Sequence, residues 1–132
     1  MIVLDASAAV ELVLATRSGL VVARRLRGET MHTPGHLDVE VLGAIRRAVI
    51  RGLISDHEGR LTVAEFETLP IRRWSTPSFV DRAYQLRNTH TVADAMYVAL
   101  AEGLAAPIVT CDARLAHSQG HDALIELCPN AG

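Results

Sequence analysis

Two aspartates in this chain stand directly behind short apolar runs, Asp5 after Ile2-Val3-Leu4 and Asp112 after Pro107-Ile108-Val109-Thr110-Cys111. A third, Asp94, lies in a stretch that is almost wholly apolar. Tyr97, Val98 and Ala101 follow it at three, four and seven residues, on its own side of a helix, where an unpaired acid is costly. A fourth acid belongs to the periodic segment around Leu37, Val41 and Ile45, where spacing does not choose between Glu40 and Asp38. Carboxylates drawn within a few ångströms of one another cannot all stay ionised without cations to offset their repulsion. Oxygen-only ligation suits Mg²⁺ or Mn²⁺. Such ions bridge a phosphodiester, lower the pKa of a bound water and stabilise the leaving oxygen, so phosphodiester hydrolysis is the natural reaction class.

Each acid also has a plainer use. Asp5 and Asp112 could cap the helices that follow them, Thr91 and Asp94 stand at capping-box spacing, and an acid in the first turns of the Glu40 helix is favoured by the helix dipole. What separates the two uses is whether the chain brings the acids together. Strands are expected at Ile2–Leu4, Met31–Pro34, Ile71–Trp74, Pro107–Thr110 and Ala123–Leu127, because these runs are short, apolar or β-branched, and bounded by turn residues. Helices are expected over Ala8–Ala15, Leu20–Arg27, His36–Leu53, Ser55–Leu69, Pro77–Arg87, Thr91–Leu104 and Asp112–His117. Ser55 and Glu58 supply a capping box, and Gly28, Gly52 and Pro70 supply stops. Strands alternating with helices predict an α/β fold, a three-layer α/β/α sandwich around a mainly parallel sheet, as one domain over residues 1–132. In open α/β sheets ligands bind beyond the carboxyl ends of the strands, which is where Asp5 and Thr110-Cys111-Asp112 fall.

Composition narrows the alternatives. The chain has 132 residues, 49% of them hydrophobic, and net charge -2. All 13 basic residues are arginine, which excludes chemistry that needs a lysine, such as P-loop phosphate binding, Schiff-base formation and the phosphoryl-binding lysine of receiver domains. The longest apolar run, Ala95–Ala101, has seven residues, against roughly 18 for a membrane span. No basic, then apolar, leader is visible, and Cys111 and Cys128 have no metal-type spacing, so a reducing, cytoplasmic setting is expected, with both cysteines as small core residues. His32/His36 and His117/His121 have H-x-x-x-H spacing, but Pro34 and Gly120 interrupt them, and both are weak metal signals.

The segments VLDASA around Asp5, HLDVEVLGAIRRA around Glu40, HTVADAMYVALAEGL around Asp94 and PIVTCDARLA around Asp112 make the chain resemble PIN-domain proteins, and among them the VapC toxins of bacterial type II toxin–antitoxin pairs. The resemblance covers nearly the whole chain. It implies that Asp5, Glu40, Asp94 and Asp112 are the metal-holding, catalytic acids of a Mg²⁺- or Mn²⁺-dependent endoribonuclease, with the hydroxyls of Ser7 and Thr110 supporting them. It further implies a transfer- or ribosomal-RNA substrate, cleavage to 5′-phosphate and 3′-hydroxyl ends, a cognate VapB-like antitoxin and a toxin homodimer. Ser7 stands where a haloacid-dehalogenase phosphatase would carry its second aspartate, which counts against that assignment. The remaining alternative is a non-catalytic interaction module of the same fold. Candidate phosphate contacts are Arg24, Arg25 and Arg27, Arg46, Arg47 and Arg51, and Arg72 and Arg73, since the arginine fork binds phosphate bidentately.

Overall fold

A computed structural model describes residues 1–128; the last four residues of the expected domain, 129–132, lie outside the described residues. Its centre is β1 (Ile2–Leu4), whose three side chains are completely buried. A strand covered on both faces reads as a continuous apolar run rather than an alternating one, and Ile-Val-Leu does so. β1 pairs in parallel with β2 (Met31–Pro34) on one side and with β4 (Ile108–Thr110) on the other. β3 (Ile71–Trp74) extends the sheet beyond β2, and β5 (Ile125–Leu127) extends it beyond β4. The order is β3-β2-β1-β4-β5, and every pairing is parallel. Pro34 is tolerated because it ends its strand.

Among the described residues seven α-helices cover this sheet: α1 (Ala6–Val13), α2 (Arg17–Arg25), α3 (Leu37–Ile50), α4 (Asp56–Thr68), α5 (Val80–Gln85), α6 (Val92–Leu104) and α7 (Ala113–Ala116). α1 packs against α2, α3 and α4, while α6, with α5 beside it, packs under β1, β2 and β4. The expected three-layer α/β/α sandwich is therefore the fold. α6 is the core helix its sequence predicts: Ala95 and the run Tyr97–Ala101 are buried. Ser55 and Glu58 form the predicted capping box at the start of α4. The helix expected over Pro77–Arg87 is split, beginning as a 3-10 turn at Pro77–Phe79 before α5. No single described helix is long and apolar enough to cross a membrane.

The chain steps from β1 outward to β2 and β3, then returns to the other side of β1 for β4 and β5. The β1/β4 boundary is thus the switch point of the sheet, where the connections leave in opposite directions and open a crevice at the carboxyl ends. The Asp5 amide donates to the Val109 carbonyl at 3.1 Å, carrying the β1–β4 ladder into the first residue of that crevice.

Candidate active site

Asp5 occupies the N-cap position of α1 but makes no side-chain cap bond, so its plainer use is not the one the chain makes of it. Its carboxylate is instead held from two sides. Ser7 Oγ donates to Oδ2 at 2.6 Å and Thr110 Oγ1 donates to the same oxygen at 2.7 Å. The two hydroxyls lie 3.1 Å apart, and each accepts a backbone amide, Cys111 N–H on Ser7 and Asp112 N–H on Thr110, both at 3.0 Å. Ser7 and Thr110 therefore tie the first turn of α1 to the end of β4 through Asp5. Burial pushes the Asp5 carboxyl above its ordinary value, the two hydroxyls pull it back, and the charges of Asp94 and Glu40 add to the rise.

Glu40 reaches the same region from α3. Tyr97, fully buried on α6, donates its hydroxyl to Glu40 Oε1 at 2.7 Å, and His36 Nε2 lies 3.3 Å from that oxygen while contacting the Ala93 carbonyl at 3.1 Å. The His36 contact, foremost, and the Tyr97 hydroxyl hold Glu40 below the usual carboxylate range against the opposing effect of its partial burial. Asp38, which spacing left level with Glu40, is turned away and held by Arg73 in a bidentate pair at 2.6 and 2.8 Å.

Asp94 and Asp112 meet through a cation. One Arg114 nitrogen lies 2.9 Å from Asp94 Oδ2 and 3.4 Å from Asp112 Oδ2. Asp112 also performs the plainer task expected of it, capping α7 by accepting from the Arg114 and Leu115 amides. Thr91 caps α6 by accepting the Asp94 amide, leaving the Asp94 side chain to Arg114. Among the described residues no three acids, histidines or cysteines form a ready metal cage. The four acids share one region through Asp5's charge coupling to Asp94 and Glu40 and through the Arg114 bridge.

Ser7 and Glu40 line a cleft of about 610 Å³ between α1 and α3, together with Glu11, Arg47 and Cys111. A larger groove of about 720 Å³ between α3 and α4 is mainly apolar and holds none of the four acids, whereas the smaller cleft is lined by one of them, Glu40, and by Ser7, which holds Asp5. Of the arginines considered for RNA, Arg47 lines that cleft. Arg25 is paired with Glu126 and Glu29, Arg73 with Asp38, and Arg72 stacks on Trp74 at 4.0 Å. Three residues that the sequence reading does not assign a role contact these acids: Tyr97, His36 and Arg114. Tyr97 lies three residues after Asp94 and Arg114 two after Asp112, and those short separations were the available signal. Of the interrupted histidine pairs, His32 accepts from Trp74 Nε1 at 3.0 Å. Cys128 is buried, and burial pushes the half-buried Cys111 thiol up to about 12, so neither is a reactive thiolate.

The model of the family described as "PIN domain" matches residues 2–120. Over 127 residues the chain is 68% identical to Ribonuclease VapC12 of Mycobacterium tuberculosis, covering 96% of this chain and 98% of that protein. Among solved structures it resembles VapBC2 from Rickettsia felis bound to a DNA fragment from their promoter, with TM-score 0.67 and 12% identity, over 96% of this chain and 98% of that one. It also resembles M. tuberculosis VapC20, described as a Sarcin-Ricin loop cleaving toxin, with TM-score 0.63 and 12% identity, over 88% of this chain and 93% of that one. At that identity the two structures bear on the fold, which is the one the element order predicts.

Proposed function

The chain belongs to the PIN-domain family, and on that footing we propose that it is the toxin of a type II toxin–antitoxin pair, an endoribonuclease that uses Mg²⁺ or Mn²⁺ held by Asp5, Glu40, Asp94 and Asp112. The observation that carries this reading is Asp5. A buried carboxylate at the sheet's switch point, raised by burial and by two neighbouring acids, is unfavourable as an anion until a cation reaches it. An oxygen-only donor set around such a group fits a hard divalent ion.

When bound, such an ion supplies a water of lowered pKa and neutralises charge on the phosphate. The protein's own residues have separable tasks. Ser7 and Thr110 hold Asp5 by one oxygen, so that its orientation is set before any ligand arrives. Tyr97 does the same for Glu40. Arg47 presents a guanidinium to the cleft, where it meets the phosphate of an entering RNA strand. The net charge of -2 offers no broad basic platform, so recognition is local and shape-dependent. A VapB-like antitoxin covering the acidic cleft, a toxin dimer and a cytoplasmic site of action complete the proposal. Its high identity to a VapC ribonuclease supports it.

Incubation of purified protein with total RNA and Mn²⁺ or Mg²⁺, with the new ends mapped, tests the reading and tells transfer from ribosomal RNA. Cleavage is expected, with 5′-phosphate ends, and is expected to vanish with EDTA and in Asp5→Asn and Asp94→Asn. Cleavage indifferent to both substitutions would transfer the activity to a contaminant and leave the interaction-module alternative standing.

A further inference from the structure

Arg114 is the cation nearest to two of the four acids, and its setting has a particular form. Asp94 comes from the first turn of α6 and Asp112 from the turn after β4, so the two acids stand on either side of the connection between two consecutive elements. The guanidinium spans them through one nitrogen, at 2.9 and 3.4 Å. The Arg114 amide meanwhile holds Asp112 Oδ1 at 2.9 Å, so a single residue engages both oxygens of Asp112. The Arg114 side chain is 66% exposed, whereas that of Asp94 is only 13% exposed. The cation therefore approaches from solvent and lies over an acid that faces inward.

We infer that Arg114 is a built-in counter-ion, which occupies the Asp94–Asp112 pair in the metal-free protein and competes there with the divalent cation. The inference rests on the metal-dependent reading above and goes beyond it by assigning the competitor. Two like charges held near each other require a positive neighbour, and guanidinium supplies one that never loses its proton in the working pH range. It must therefore leave by moving rather than by titrating. Among the described residues these two pairs hold the side chain, and the exposed guanidinium leaves them open to screening by salt. The backbone amide bond to Asp112 Oδ1 does not depend on the side chain, so Asp112 stays oriented when the guanidinium swings out.

The test is Mn²⁺ binding without RNA, followed by electron paramagnetic resonance of free Mn²⁺ at low salt, on the full chain. Wild type is compared with Arg114→Gln, with Arg114→Lys, and with Arg60→Gln, which removes a cation from the exposed Arg60–Asp56 pair on α4. Arg114→Gln is expected to bind Mn²⁺ three- to tenfold more tightly, tenfold being about 1.4 kcal/mol. Arg114→Lys, which keeps the charge but not the fork, should fall between, and Arg60→Gln should match wild type. The advantage of Arg114→Gln should shrink at high salt. Unchanged or weaker binding by Arg114→Gln, with wild type still binding Mn²⁺ through Asp5, would overturn the inference and leave the nuclease reading intact. Equal tightening in Arg60→Gln would reduce the effect to overall charge and also overturn it. Failure of wild type to bind Mn²⁺ at all would bring down both. Circular dichroism melting confirms that each variant is folded, which the exposure of both arginines favours.

Discussion

The hydroxyl of Tyr97 is the residue-scale feature with the clearest cost of removal. It is fully buried and points at Glu40 Oε1, and among the described residues the other partner of that oxygen is His36 at 3.3 Å. A hydrogen bond to a charged group is worth roughly 1.5–3 kcal/mol, and phenylalanine fills the same space without it. Tyr97→Phe is therefore expected to keep the fold while lowering the RNA cleavage rate by about tenfold or more, with Mn²⁺ affinity falling in parallel. Single-turnover cleavage and a Mn²⁺ titration measure the two effects. Unaltered kinetics would mean that Glu40 needs no help from Tyr97. The same residues show what sequence could and could not reveal. Asp5 and Asp112 were legible because strand ends announce themselves and ligand sites follow strand ends. The choice between Glu40 and Asp38 was not legible from periodicity, because both lie at the start of one helix and their difference is made by partners distant in the chain, Tyr97 for one and Arg73 for the other. The segment around Glu40 favours Glu40 only through family resemblance.

At the scale of elements, the seating of α1 on α2 decides where the first turn of α1, and with it Ser7, stands relative to β4. Gly19 in α2 permits that seating, since a Cβ built there would lie 2.0 Å from the Glu11 carbonyl oxygen and 2.7 Å from its carbon. Two effects oppose each other in Gly19→Ala. Helix propensity favours alanine by roughly 1 kcal/mol, whereas forcing atoms into a packed contact costs typically 1–3 kcal/mol, and here the obstacle is backbone, which cannot rotate aside. The clash is expected to win, lowering Tm by several degrees in thermal melts and reducing cleavage, because α1 must shift away from β4. A melting point equal to or above wild type would show that the helices separate freely. That Gly19 is a contact point depends on where α1 and α2 cross, which no local pattern encodes. The strands and the long helices α3, α4 and α6, by contrast, were legible because their apolar spacing and caps are local. The 3-10 turn at Pro77–Phe79 escaped because proline at a helix start is compatible with either geometry.

For the whole molecule, burial of Asp5 carries an electrostatic cost that the proposed cation would relieve, and this cost has a definite pH dependence. Burial, with the charges of Asp94 and Glu40, raises the Asp5 carboxyl in the folded state above its value in the unfolded chain. A group shifted in that direction favours the folded state fully below the unfolded pKa, and that contribution is lost as pH rises through the folded pKa. The metal-free protein thus gives up stability at Asp5 on going from about pH 4 to neutrality. Glu40 and Glu102, both lowered in the folded state, act in the opposite sense, so a single melting curve against pH mixes the two. Asp5→Asn separates them, since asparagine cannot ionise while its side-chain oxygen still accepts from Ser7 and Thr110. In EDTA at pH 7.5 the variant is expected to melt a few degrees above wild type, about 1 kcal/mol corresponding to roughly 3–5 °C for a chain of this size. The gap should close as pH falls toward 4. Saturating Mn²⁺ should reverse the order, because a ligand bound only by the native state raises Tm in proportion to the logarithm of its excess over Kd, and the variant lacks one of the proposed metal-holding carboxylates. Scanning calorimetry at pH 4, 5.5 and 7.5, with and without Mn²⁺, resolves all three expectations. If Asp5→Asn melts below wild type in EDTA at neutral pH, Asp5 is a stabilising anion within its hydroxyl clamp, and the charge that makes this cleft a cation site must be sought at Asp94 and Asp112 instead.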